Sequence, residues 1–151
     1  MKQFKDIAYI YYLSDNVTLD KHKSGKWMYF FDIKNGIDFA DKVCRDAVEK
    51  GIVQEAKYTN PLTIEFNPFA KNKDTGLVCF YLEIDDMEAH KRVINYFIEN
   101  NMIKKTKLGR YYNNSFKLDD QTRAGDYGDD FVSELKLEQL IDLTTGEWIA
   151  D

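Results

Sequence analysis

Apolar and polar positions change their period several times along the chain, and each change marks an element. The stretch "IAYIYYL" (7–13) is dense in β-branched and aromatic residues and reads as a strand. In "KWMYFFDI" (26–33) the alternation places Trp27, Tyr29 and Phe31 on one face and Met28 and Phe30 on the other. Apolar groups on both faces predict a central strand, packed on each side. From Asn35 the period lengthens. Ile37, Ala40, Val43, Cys44, Ala47 and Val48 recur at three and four residues, the stripe of an amphipathic helix. Asn35 or Asp38 is placed to cap its start, and Gly51 stands where a helix ends.

"EAKYT" (55–59) and "LTIEF" (62–66) read as extended, the second half-buried because Leu62, Ile64 and Phe66 alternate with Thr63 and Glu65. A polar turn region, 67–76, separates them from "LVCFYLEI" (77–84), the strongest strand signal and a central one. The following "DDMEAHKRVINYFIENN" predicts a second amphipathic helix. Asp85 and Glu88 form its capping box, and Ala89, Val93, Ile94, Phe97 and Ile98 its buried stripe. After a basic connector come a strand at 111–118, an exposed loop at 119–130, and a short strand in "FVSELKL". A closing hairpin in "DLTTGEWI" turns at Thr145–Gly146. The order β-β-α-β-β-α-β-β predicts an α+β fold: a largely antiparallel sheet with both helices packed on one face.

Composition narrows the class. At 151 residues, 44% hydrophobic and 15% aromatic, with two prolines and no linker-like stretch, the chain reads as a single domain, 1–151, with a sizeable core. No run reaches the roughly 18 apolar residues that span a bilayer, and the first segment lacks the form of a signal peptide. Cys44 and Cys79 fall in apolar segments, which favours buried free thiols and a reducing, cytoplasmic setting without a membrane partner.

The net charge of −5 is unevenly spread. Residues 1–118 hold 19 Lys/Arg against 16 Asp/Glu, and residues 119–151 hold 2 against 10. The acidic end is either a solubilising surface or a face for a basic protein partner. Duplex nucleic acid is disfavoured, since phosphate neutralisation needs a broad basic surface.

Several chemistries are excluded by spacing. A phosphate loop ending at Gly25-Lys26 needs glycine at position 20 and Ser or Thr at 27, where Asp20 and Trp27 stand. His22 and His90 have no ligand spacing to a cysteine or carboxylate, so no metal is expected, and no cofactor is implied. His90 reads as an exposed structural residue. No nucleophile elbow occurs, and the cysteines are poor nucleophile candidates.

Three polar features remain. Lys23 and Lys26 flank Gly25 in "HKSGKW", directly before the aromatic strand; Lys57 sits in "EAKYT". Each lysine either snorkels or holds an anion. In "QTRAGDY", Thr122, Arg123 and Tyr127 suit an oxyanion grip, unless Arg123 only neutralises Asp119, Asp120 and Asp126.

In this order, Gly25-Lys26-Trp27 opening a strand, Ala56-Lys57 in a second, and Thr122, Gly125 and Tyr127 in a late segment resemble the phosphothreonine lyase domain family. The matched blocks are short and lie within residues 24–128. The resemblance implies a fold similar to the cap-binding translation initiation factors, a curved antiparallel sheet backed by helices. It also implies a concave face that holds a nucleotide. Trp27, Tyr29 or Tyr127 would stack on a base, and Lys26, Lys57 and Arg123 would converge on phosphate.

The expectation is therefore a noncatalytic module for a phosphorylated small molecule, above all a nucleotide, acting as a sensor or a phage-encoded sequestering protein. Two alternatives stand beside it. One is a phosphothreonine lyase with Lys26 or Lys57 as base and His22 as acid. The other is an acidic inhibitor or nucleic-acid mimic using Asp119, Asp120, Asp129 and Asp130.

Overall fold

The computed structural model describes residues 1–68, 70, 72–120 and 134–150. Its strands are β1 (Lys2–Lys5), β2 (Tyr9–Leu13), β3 (Ser24–Asp32), β4 (Glu55–Thr59), β5 (Thr75–Glu83), β6 (Ser115–Leu118) and β7 (Leu135–Lys136). Two helices, α1 (Ile37–Glu49) and α2 (Met87–Glu99), follow β3 and β5. The strands form an open antiparallel sheet in the order β1-β2-β4-β5-β3-β6-β7, so the fold is α+β. Two compact units divide the chain: Met1–Thr18 with Met28–Tyr81, and Leu19–Trp27 with Leu82–Asp151.

In the first unit, β2 pairs with β4 through Tyr11↔Lys57 and Tyr12↔Ala56, and β4 with β5 through Lys57↔Cys79 and Ala56↔Phe80. Because cross-strand partners share a face, Ile10, Tyr12, Ala56 and Tyr58 line one side and Tyr9, Tyr11 and Lys57 the other. The first side is covered by α1, which buries Ala40, Val43, Cys44, Ala47 and Val48, the stripe expected from sequence. Tyr29 meets Phe39 of α1 and Phe31 meets Tyr58, so Tyr29 and Phe31 of β3 join that packed side. Phe30, of opposite parity, is 57% exposed.

In the second unit, α2 buries Ala89, His90, Val93, Ile94, Tyr96 and Phe97. The first residues of β3 pair with β6 through Gly25↔Leu118 and Lys26↔Lys117. A Cβ on Gly25 would sit 2.4 Å from the Phe116 ring and 2.6 Å from the Lys117 carbonyl oxygen. Close approach of that ring is the physical reason for glycine in "SGKW". Beyond β7 the chain closes with an Ile141↔Trp148 bridge, and Gly146 at φ +80° lies in the expected turn.

Four local expectations are corrected. β1 is an additional strand, exposed throughout, joined to β2 by a turn in which the Asp6 carboxylate accepts from the Ala8 and Tyr9 amides. Residues 62–66 are not a strand. The Asn60 side chain accepts from the Leu62 amide, and Ile64–Phe66 is a 3₁₀ turn with Leu62 and Phe66 exposed, local side-chain bonds having displaced the ladder. α1 is capped by Gly36, with the Asn35 amide drawn instead to Asp32. α2 is capped by Asp86, which accepts from the Ala89 amide, while Asp85 pairs with Lys23. Both cysteines are buried free thiols, as expected. No helix among the described residues is long and apolar enough to cross a membrane.

Candidate functional site

The side of the first unit opposite α1 carries a cation set among phenol rings. The Lys57 ammonium lies 3.8 Å from the Tyr9 ring centroid, 5.2 Å from Tyr81 and 5.5 Å from Tyr11. Backbone register produces this cluster. Tyr9 and Tyr11 are two residues apart on β2, Lys57 faces Tyr11 from β4, and Tyr81 comes from β5. The turn bonds to Asp6 fix where β2 begins and hence which way Tyr9 points.

Burial first, then the nearby Cys79 and Asp6, push the Tyr9 phenol up to about 12. Burial, followed by Asp6 and Glu55, pushes Tyr11 up as well. Both phenols are protonated at neutral pH, and the Tyr11 hydroxyl is hydrogen-bonded to the Asp6 carboxylate. The cluster sets one lysine among the half-buried Tyr9 and Tyr11 and the buried Tyr81, with the Asp6 and Glu55 carboxylates nearby, so a cation and aromatic rings share one face of the sheet.

Next to it, a cavity of about 200 Å³ is lined by Tyr9, Phe30, Thr59, Asn67, Gly76 and Leu77 among others. Its polar wall is built in: the Thr59 hydroxyl accepts from the Leu77 amide at 2.9 Å, and the Asn67 side chain donates to the Ala8 carbonyl at 3.3 Å. On the other side of the sheet, Asp41 of α1 ties the strands down. Its Oδ1 accepts from the Tyr12 hydroxyl at 2.5 Å and the Tyr58 hydroxyl at 2.9 Å, and its Oδ2 from Arg45 at 2.9 Å. This network holds the tyrosine-bearing strands in register.

The second unit contains the residues of "HKSGKW". Lys26 is buried and donates to Asp119 Oδ1 at 3.0 Å. Lys23 bonds Asp85 at 3.1 Å, which with burial of neither partner raises its ammonium's affinity for the proton. His22 Nδ1 lies 3.4 Å from Asp120, at an exposed position. Trp27 is 1% exposed. Its indole donates to His90 Nδ1 at 3.0 Å, and its ring meets His90 and Phe116 edge-on.

His90 is thus a correction to the sequence reading: it is buried in the core, not exposed. Indole N–H can only donate, so Nδ1 accepts and the imidazole carries its proton on Nε2, which donates to the Ile84 carbonyl at 2.8 Å. Burial lowers its affinity for a second proton.

Of the residues singled out in the sequence, Lys57 lies in the tyrosine cluster. Tyr29 lies in the same unit but on the α1 side, half-buried against Phe39. Stacking on a base needs an open ring face, which a core-buried Trp27 does not present. Lys23 and Lys26 belong to the second unit, each bonded to an aspartate, and Thr122, Arg123 and Tyr127 lie outside the described residues. Tyr9, Tyr11, Phe30 and Tyr81 went unselected. The alternation of "IAYIYYL" already separates Tyr9 and Tyr11 from Ile10 and Tyr12, and Phe30 from its neighbours on β3. Among the described residues, no group of three or more His, Cys, Asp or Glu side chains is placed to hold a metal. No protein-family model matches the chain, and a search of curated proteins finds no match.

Proposed function

We propose that the protein is a noncatalytic module that binds a phosphorylated small molecule, above all a nucleotide, on the first unit's tyrosine-bearing side. The observation that carries this reading is the Lys57 ammonium among Tyr9, Tyr11 and Tyr81, beside a cavity with Phe30 at its wall. Lys57 takes the phosphate, and Phe30 or Tyr9 stacks on the base. At about 200 Å³ the cavity is smaller than the roughly 300–1,000 Å³ of sites that enclose a whole ligand. It receives one ring or one phosphate group while the rest of the ligand lies along the strands. Likeness of the sheet to the cap-binding initiation factors is part of the same proposal, as is a role in sensing or sequestering the ligand.

Thermal unfolding with mono-, di- and cyclic nucleotides, and with a phosphothreonine peptide, tests this. Ligand at 100 times its dissociation constant stabilises the fold by about 2.7 kcal/mol, or roughly 5–10 °C for a chain of this size. Lys57→Met should remove the shift, and chromatography should return the ligand unchanged. Turnover of the peptide or nucleotide would replace binding by catalysis. Absence of a shift with every ligand would refute the reading.

A further inference from the structure

The second unit contains a feature that the nucleotide reading does not use. Between Glu99 and Asp119 the sequence has no acidic residue, and Lys104, Lys105, Lys107 and Arg110 crowd into seven positions. The structure folds this segment into a β-hairpin. The Tyr112 amide donates to the Lys104 carbonyl at 2.9 Å and the Thr106 amide to the Arg110 carbonyl at 2.7 Å, around a Lys105↔Tyr111 bridge. Gly109, at φ +82°, makes the tight turn that other residues resist. The base is fixed, because Met102 and Ile103 are buried and the Tyr111 amide donates to the Leu143 carbonyl at 2.8 Å.

Alternation then sorts the side chains. Lys105 and Tyr111 share one face, with the ammonium 4.8 Å from the ring centroid. Lys104, Thr106, Arg110 and Tyr112 share the other, with Tyr112 47% exposed. Leu108 stands at the tip, 91% exposed, between Lys107 and Arg110. None of the four cations forms an ion pair among the described residues.

We propose that this hairpin binds single-stranded nucleic acid. Cations on both arms of the hairpin meet successive phosphates, the exposed Tyr112 stacks on a base, and Leu108 offers apolar surface to a neighbouring base. The alternative polyanion, an acidic membrane, fits less well. One leucine at the tip contributes at most about 2–3 kcal/mol of insertion, and an aromatic aligned with cations along the ribbon has no use there. In a chain of net charge −5, binding to any polyanion must be local to such a patch.

Fluorescence anisotropy with fluorescein-labelled U15 and dT15, from 50 to 200 mM KCl, tests the proposal on the full chain. Four neutralised phosphates give a log–log salt slope of about −3. Lys107→Glu with Arg110→Glu should weaken binding at least tenfold and flatten the slope. Tyr112→Ala should weaken it about 5- to 100-fold with the slope unchanged, since it removes stacking only. Unchanged thermal midpoints show that these exposed substitutions leave the fold intact. No binding to either oligonucleotide at 50 mM salt overturns the proposal. So does wild-type affinity in either variant, or association only with vesicles of three parts phosphatidylcholine to one part phosphatidylserine.

Discussion

Replacing His90 should expose how strongly the second unit's core depends on a neutral imidazole. The ring is fully buried, accepts from the Trp27 indole and donates to the Ile84 carbonyl. His90→Ala leaves a buried indole donor unpaired, at about 1–3 kcal/mol, and opens a cavity worth roughly a further 2 kcal/mol. A total near 4 kcal/mol is a large part of the about 5–15 kcal/mol typical of a domain. The pH dependence is more diagnostic. Burial depresses this histidine's folded-state pKa below its ordinary value, so below about pH 6.5 the unfolded chain binds more protons than the folded one. Its contribution is complete above that pH. It falls by up to about 1.4 kcal/mol per pH unit as the solution is acidified towards the folded-state value. His90→Gln retains an acceptor and a donor but cannot titrate. Urea unfolding at pH 7.5, 6.5, 5.5 and 5.0 should show a steeper loss for wild type than for the glutamine variant. Parallel curves would refute a neutral histidine held by Trp27.

Other substitutions probe the remaining elements. Lys26→Met should cost about 2–3 kcal/mol by leaving Asp119 without its 3.0 Å partner, and Asp119→Asn added to it should recover part of the loss in chemical denaturation. Gly25→Ala should destabilise by 2 kcal/mol or more, on the order expected for overpacking against the core ring of Phe116, measurable as a lowered thermal midpoint; an unchanged midpoint would contradict the close approach. Tyr12 is pushed up to about 12 and Tyr58 higher, by burial first and then by their hydrogen bonds to Asp41. Folded phenols thus hold their protons when unfolded ones lose them, and stability should fall by roughly 2 kcal/mol between pH 10 and 11 for the pair. Tyr12→Phe with Tyr58→Phe should flatten that alkaline loss, which urea titrations at the two pH values would reveal.

Periodicity carried most of the fold. The stripes of α1 and α2 and the apolar run of β5 are long enough for burial to dominate, so their sequence patterns survive in the structure. β1 has no apolar alternation to reveal it, because "KQFK" is exposed on every residue and is held by backbone pairing to β2 with side-chain contacts of Gln3 to Tyr12 and Phe4 to Tyr11. "LTIEF" misled because alternation also arises in a turn that buries Ile64 alone. His90 looked like a surface residue because a polar side chain on a helix usually is one. The indole of Trp27, 63 positions away, and the Ile84 carbonyl together satisfy both ring nitrogens and make its burial tolerable.

The candidate site was legible in part. Lys57 was selected for its place in a strand, but its tyrosine neighbours depend on the register between β2, β4 and β5, which one sequence does not display. The glycine-lysine-tryptophan segment reads in the sequence as surface chemistry. In the structure its glycine accommodates Phe116, its lysine is bonded to Asp119 and its tryptophan fills the core.

The central claim is that a phosphorylated ligand binds at Lys57 and its tyrosines. Isothermal titration of the nucleotide giving the largest thermal shift tests it most directly, on wild type, Lys57→Met, and the hairpin variant Lys107→Glu with Arg110→Glu. The account predicts one site per chain, at least tenfold weaker binding in Lys57→Met, and wild-type affinity in the hairpin variant. Undiminished binding in Lys57→Met, or loss confined to the hairpin variant, would contradict it.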